Sequence, residues 1–205
     1  MQNNEWIDWL VRLQSLAQAG LAYGKDKYDI ERFEEIRTLT VKMMASLSDL
    51  PEKKIKNLFA NETGYQTPKI DTRAAIFKDE KILLVQERDG TWALPGGWCD
   101  VDQSVMENTL KEVKEEAGLD AVLDKVIAIQ DRDKHNQELY AYKICKIFSL
   151  CHVTGGAFTE NLETIASRYF SLDKLPVLAQ AKTNEAQIQM CFAAYQTDDW
   201  KTLID

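Results

Sequence analysis

Residues 94–119 read LPGGWCDVDQSVMENTLKEVKEEAGL, a glycine bend opening into a helix crowded with carboxylates. The helix, expected over about 103 to 117, carries Glu112, Glu115 and Glu116. At about 100° per residue these three cluster on one face, while Met106, Leu110, Val113 and Ala117 fall roughly opposite, so one side packs and the other collects charge. Three like charges within one turn destabilise an isolated helix by about a few tenths of a kcal/mol per pair, which a cation or water must offset. Closely spaced carboxylate oxygens without imidazole or thiolate partners favour a hard ion, Mg²⁺, with Mn²⁺ as a substitute. The Gly96-Gly97 bend lets the backbone approach closely, so the Gly97 carbonyl can add an oxygen. Taken alone, E-x-x-E-E is more often a solvated face balanced by Lys111 and Lys114. The surrounding sequence has to decide.

Around this helix, from Ile70 onward, run short β-rich segments: TRAAIF, KILLVQE, TWAL, AVLDKVIAI, ELYAYKICKIFSL and SRYF, punctuated by DG and GG turns. A second helix, over about 184 to 195, presents Ile188, Cys191, Phe192 and Tyr195 on one face and should cover the sheet. Residues 1–62 read instead as three helices, with Trp6, Trp9, Leu10, Leu13 and Leu16, then Ile30, Phe33, Ile36 and Met43, at helical spacing. Asp29 is the expected N-cap of the second helix, and Ile55, Leu58 and Phe59 the buried face of the third, after Pro51. The polar stretch at 63–69, with Gly64 and Pro68, reads as a linker to a second, β-rich domain over 70–205. Three short helices make a marginal core, so their apolar stripes need a partner surface, in the same chain or in a second copy. Trp6, Trp9 and Trp92 are expected in the core.

The 205 residues include 25 basic and 33 acidic ones, a formal net charge of −8, which disfavours a broad nucleic-acid footprint. An anionic ligand must therefore be held locally, by metal or a few placed cations. The start, MQNNEWIDWLVRLQ, mixes charge into its apolar positions unlike a signal peptide, and the apolar runs are far too short for a membrane span, so a cytoplasmic protein without membrane partners is expected. Cys99, Cys145, Cys151 and Cys191 lack C-x-x-C spacing and are expected as reduced, mostly buried thiols. His135 reads as an exposed turn residue.

The stretch from Gly97 resembles the Nudix box, G-x5-E-x7-R-E-U-x-E-E-x-G-U with U a bulky apolar residue. Gly97, Glu112, Val113, Glu115, Glu116, Gly118 and Leu119 fall in register. Gln103 and Lys111 stand where the pattern has Glu and Arg, so the supporting ion pair expected of that couple is missing, a change that tunes activity by about 10 to 100-fold. The resemblance implies an α+β fold, a Nudix α/β/α sandwich with a mixed sheet, preceded here by a small three-helix domain. It also implies Mg²⁺-dependent cleavage of a phosphoanhydride. Glu112 and Glu116 would be principal metal ligands with the Gly97 carbonyl, and Glu115 a further ligand or a residue orienting water. Glu163, in TENLETIASRYF, lies where several Nudix enzymes place a loop carboxylate that is a ligand or general base, and Glu160 competes for that role.

Beyond the box, DTRAAIFKDEKILLVQERDGTWALPGGWCDV and the helical N-terminus resemble the Nudix subfamily of hydrolases of X-linked nucleoside diphosphates, which includes CDP-choline and ADP-ribose pyrophosphatases. That resemblance implies a homodimer built through the N-terminal helices, a phosphate contact for Arg73 and an active-site carboxylate in Glu87. Trp98 can stack on a base, which is tolerant of base identity. The expected reaction is hydrolysis of a nucleoside diphosphate linked to a small moiety, with CDP-choline, giving CMP and phosphocholine, ahead of ADP-ribose. The rivals are a non-hydrolytic nucleotide-binding module, prompted by Gln103 and Lys111, and pyrophosphate removal from RNA 5′ ends, which the acidic composition disfavours.

Overall fold

Alternation along the strands after Lys69 decides which helix each residue meets. The structure, a computed structural model, describes the backbone of residues 2–48, 50–136 and 143–205, and their side chains except those of 2–4, 58 and 59. The chain divides at Pro68 into two compact units.

The N-terminal unit contains α1 (Gln2–Tyr23), α2 (Lys27–Leu47) and α3 (Glu52–Phe59) around Leu10, Val41, Met44, Ile55 and Ala60. The cap of α2 is Asp26 instead of Asp29: its extended backbone lets the carboxylate accept from the Tyr28 and Asp29 amides. Asp29 sits in the first turn and pairs with Arg32 at 2.7 Å. Ile55 is buried as expected, and the side chains of Leu58 and Phe59 lie outside the described residues. The expectation for Trp6 and Trp9 is corrected, since they are 45% and 54% exposed, with Leu13 and Leu16 beside them, while Leu10, Gln14, Ala17 and Gln18 point inward. Of the two glutamines on the inner face, Gln14 is held by both ends of its amide, donating to Gln18 Oε1 and accepting from Thr40 Oγ1, both at 3.3 Å. Helical spacing revealed an apolar stripe on α1 without saying which surface it serves.

The C-terminal unit contains β1 (Lys69–Lys78), β2 (Lys81–Glu87), β3 (Trp92–Ala93), α4 (Val105–Ala117), β4 (Leu119–Asp131), α5 (Arg132–His135), β5 (Ile144–Gly156), β6 (Thr164–Phe170), α6 (Glu185–Tyr195) and β7 (Leu203–Ile204). Its mixed sheet runs β3-β2-β1-β5-β4-β7, with β6 also pairing β2; β1 with β5 and β4 with β7 are parallel, the other pairs antiparallel. Ala74, Ile76, Leu83 and Val85 pack with Val113 and Ala117 of α4, whereas Ala75, Ile82 and Leu84 share a core with Ile188, Cys191 and Phe192 of α6. Side chains two apart share a face, so one sheet serves both helices and the unit is the expected α/β/α sandwich.

Trp92 is buried against Phe170, and Tyr195, at the rim of the α6 face, stacks on Phe77. TWAL shrinks to a two-residue strand because Pro95 and the glycines turn the chain away. Of ELYAYKICKIFSL, the strand is described from Ile144, and residues 137–142 lie outside the described set. Met106 is corrected from packing to exposed, because the inward face of α4 starts with Asn108 and Thr109, one turn before Val113.

Candidate active site

A capping box launches α4: the Ser104 hydroxyl accepts from the Glu107 amide, and the Glu107 carboxylate accepts from the Ser104 amide. Gly118 ends it in the left-handed region at φ 69°, where a Cβ would stand 2.3 Å from the Ala157 carbonyl oxygen. Buried Asn108 fixes the middle, donating to Thr72 Oγ1 at 2.9 Å and accepting from the Asp100 amide at 3.2 Å. The glycine bend is laced to β1 by three backbone bonds, Ala74 N to Pro95 O, Thr72 N to Gly97 O and Cys99 N to Ile70 O. Helix and bend are thus anchored to one strand, and the Gly96 amide donates to Glu116 Oε2 at 2.8 Å.

On this frame Glu112, Glu116 and Glu163 converge, each offering an oxygen within 4.8 Å of the others. Glu112 lies against Gly97, where a Cβ would meet its Oε2 at 3.1 Å. The Gly97 carbonyl accepts from Thr72 and keeps its second lone pair. Glu163 comes from outside the helix, yet its loop is built in. Asn161 Oδ1 accepts from the Glu163 and Thr164 amides, Asn161 Nδ2 donates to the Glu115 carbonyl, Thr164 Oγ1 donates to the Glu116 carbonyl, and Arg88 holds the carbonyls of Asn161 and Leu162. Glu160 is exposed and outside this group, as is Glu115, which pairs with Lys111 at 3.4 Å.

Burial raises Glu116 from the ordinary carboxylate range to about 7; the Gly96 amide and Arg73 oppose the shift, and the Glu112 charge adds to it. Burial likewise raises Glu112, with Glu115 and Glu163 adding to it against Lys111 and Arg73. Three crowded carboxylates, with Glu112 and Glu116 both raised, and oxygen donors throughout, fit a hard divalent cation.

The couple at 103 and 111 forms no ion pair, as expected, but Lys111 finds another carboxylate in the loop. Lys111 Nζ lies 3.0 Å from Asp100 Oδ2, as well as 3.7 Å from Glu112. Asp100, three residues before Gln103, closes the loop onto the helix in the glutamate's stead. Gln103 contributes backbone contacts, its amide to Asp100 O and its carbonyl accepting from Cys99 Sγ.

Arg73 is 4% exposed, with Nε and Nη2 on Asp71 and Nη1 on the Leu94 carbonyl. Burial alone would lower its pKa, but Asp71, Glu116 and Glu87 outweigh that and raise it. Glu87 pairs with Lys182 at 2.7 Å, and Trp98, directly after Gly97, is 46% exposed. His135 pairs with Asp205. All four cysteines are free: Cys151 and Cys191 are buried, Cys99 and Cys145 half-buried. Sequence reasoning missed Asp100, Asn161 and Lys182. Asp100 had a usable signal, being the acid nearest the bend, whereas Asn161 and Lys182 are defined by contacts across the fold.

Among the described residues, no helix is long and apolar enough to cross a membrane. Residues 4–59 match the family described as the UDP-X-like, N-terminal oligomerisation domain, and residues 68–190 match the NUDIX domain. The Bacillus subtilis (strain 168) protein "Putative ADP-ribose pyrophosphatase YjhB" is 40% identical over 98% of this chain and 97% of its own length. A crystal structure of an ADP-ribose pyrophosphatase from Streptococcus suis 89-1591 is 54% identical, covering 68% of this chain and 100% of that one, with a TM-score of 0.64. A crystal structure of a UDP-X diphosphatase is 33% identical, covering 99% of this chain and 100% of that one, also with a TM-score of 0.64. With the box in register on α4, its glutamates gathered against the bend, and relatives matching end to end, the chain belongs to the Nudix hydrolase family and is a pyrophosphohydrolase.

Proposed function

We propose that this pyrophosphohydrolase cleaves the diphosphate bridge of a nucleoside diphosphate linked to a small moiety, using Mg²⁺ or Mn²⁺ held by Glu112, Glu116 and Glu163. The convergence of these three carboxylates is the observation that carries the reading. The bound cation supplies charge neutralisation for the diphosphate and acidity for the attacking water. Glu112 and Glu116 are fixed from the helix, the latter by the Gly96 amide. Glu163, the most exposed of the three, accepts the proton that water releases. Glu115 stays with Lys111 in the outer ring. Arg73, engaged with Asp71 and Leu94, supports the bend from beneath, and Trp98 offers an indole face to the base. A binding module without turnover finds no support in a carboxylate set this complete.

For the substrate, the names carried by the relatives move ADP-ribose ahead of CDP-choline, the compound the subfamily resemblance favoured. Both present the same diphosphate, so the preference rests on pocket contacts worth about 10 to 200-fold in kcat/KM. In competition at equal concentration with Mg²⁺, both should be cleaved and ADP-ribose faster. Preferred turnover of a nucleoside triphosphate or an RNA 5′ end would reject the substrate class.

The assembly we infer is a homodimer through the N-terminal helices. Support comes from the oligomerisation-domain match and from the outward row of Trp6, Trp9, Leu13 and Leu16. Light scattering should give about twice the 23.5 kDa chain mass; a monomer at micromolar concentration would rule the dimer out.

A further inference from the structure

Among the described residues, Lys111, Arg73 and Lys182 carry charge felt at Glu112 or Glu116, and the first two are committed. Lys111 is shared among Asp100, Glu112 and Glu115 at 3.0 to 3.7 Å. Arg73 is buried and tied to Asp71 and the Leu94 carbonyl. Lys146 is buried too, donating to the Lys182 carbonyl with Asp71 at 3.8 Å. Lys182 differs, because its side chain is 47% exposed and the carboxylate within ion-pair reach is Glu87.

The root of Lys182 is rigid although its tip is accessible. Its amide donates to the Ala179 carbonyl, its own carbonyl accepts from Lys146, and Thr183 next to it is fully buried. Thr183 Oγ1 accepts from the Leu94 amide, two residues before Gly96, whose amide holds Glu116. The ion-pair partner is equally well placed: Glu87 sits opposite Thr164 in the β2–β6 ladder, directly after Glu163. Lys182 therefore stands on the side of the cluster formed by the bend and the Glu163 loop, and its charge is felt at Glu116.

We propose that Lys182 is the substrate-binding cation of this site, parked on Glu87 in the free protein and transferred to a phosphoryl oxygen when the diphosphate enters. The proposal rests on the pyrophosphohydrolase reading above and adds a residue to it. An ammonium on a flexible stem suits this exchange, since it acts as a point charge without a required fork geometry. No covalent bond changes. Glu87 is left beside the metal ligands once its partner has moved.

Calorimetric binding of ADP-ribose to the Ca²⁺-loaded protein, beside steady-state hydrolysis with Mg²⁺, tests this. Lys182→Met should weaken binding and raise KM by about 10 to 100-fold, with a smaller change in kcat. Lys182→Arg should recover most of the loss, and Mn²⁺ affinity should not weaken in either variant. Glu87→Gln, which releases the lysine, should lower KM. If Lys182→Met binds ADP-ribose like wild type while wild type turns it over, Lys182 is excluded and the hydrolase reading stands. If Glu87→Gln raises KM as Lys182→Met does, the pair is a structural strut and the proposal is overturned. Wild type that neither binds nor cleaves ADP-ribose or CDP-choline would overturn both.

Discussion

Replacing Glu116 with glutamine should lower turnover by at least about a hundredfold, more than the loss typical of partners that merely support a ligand. The same change should stabilise the metal-free protein in alkaline solution. Burial lifts Glu116 to about 7 from an ordinary value of 4.5, so between these limits the folded state keeps a proton that the unfolded chain has released. The stabilisation from this group is complete below about 4.5 and is lost as pH rises through 7, beyond which an ionised carboxylate is caged. The shift corresponds to roughly 3 kcal/mol. With chelator present, Glu116→Gln should melt above wild type at pH 8 and close to it at pH 5. Mg²⁺ should raise the melting temperature of wild type at pH 8 far more than that of the variant. A variant destabilised equally at both pH values would show that Glu116 is held for packing instead.

Gly96→Ala should damage fold and activity together. The backbone there has φ 145°, and a Cβ would stand 1.9 Å from the Thr72 carbonyl oxygen and 2.9 Å from Arg73 Cα. The bend must move off β1, loosening the bonds from Thr72 to Gly97 and from Ala74 to Pro95 and withdrawing the amide that holds Glu116. Overpacking and backbone strain together cost about 3 kcal/mol or more, equivalent to a melting temperature lower by roughly 6 to 12 °C. A misplacement near 1 Å can cost about a hundredfold in rate. Gly64→Ala is the comparison: its φ of 82° is also unfavourable, but the added Cβ meets no atom within 4 Å, so activity should survive. Equal behaviour of the two variants would mean that the close approach of Gly96 to β1 is not what sets the site.

The parts of this site that could be read from sequence are those set by local geometry. Helical spacing alone brings Glu112 and Glu116 to one face, and the glycine pair announces the bend. Glu163 remained one candidate beside Glu160, because membership depends on Asn161 and Arg88 clamping its loop to α4 and β2, contacts made across the fold. Asp100 replaces the expected partner of Lys111 from a different loop position, which a fixed-spacing pattern does not anticipate. The β-rich runs and the two helices were legible in the sequence, whereas the sandwich was expected from the resemblance to the Nudix family. In α1 the spacing was read correctly and its direction was not, since Gln14, bonded to Gln18 and Thr40, lies inside with Gln18 while Trp6 and Trp9 stay outside. Composition offers no warning of that inversion, because the bonds of Gln14 to Gln18 and Thr40 are made only in the fold.

Equilibrium binding of Mn²⁺ to the protein alone, followed by the loss of the free-ion paramagnetic resonance signal, tests the assignment of the metal centre most directly. Glu112→Gln, Glu116→Gln and Glu163→Gln should each weaken Mn²⁺ affinity by at least about tenfold, since each replaces a charged carboxylate with a neutral amide, while Glu115→Gln should leave it near wild type. Undiminished binding in the Glu163 variant, or a loss on changing Glu115 as large as on changing Glu116, would contradict it.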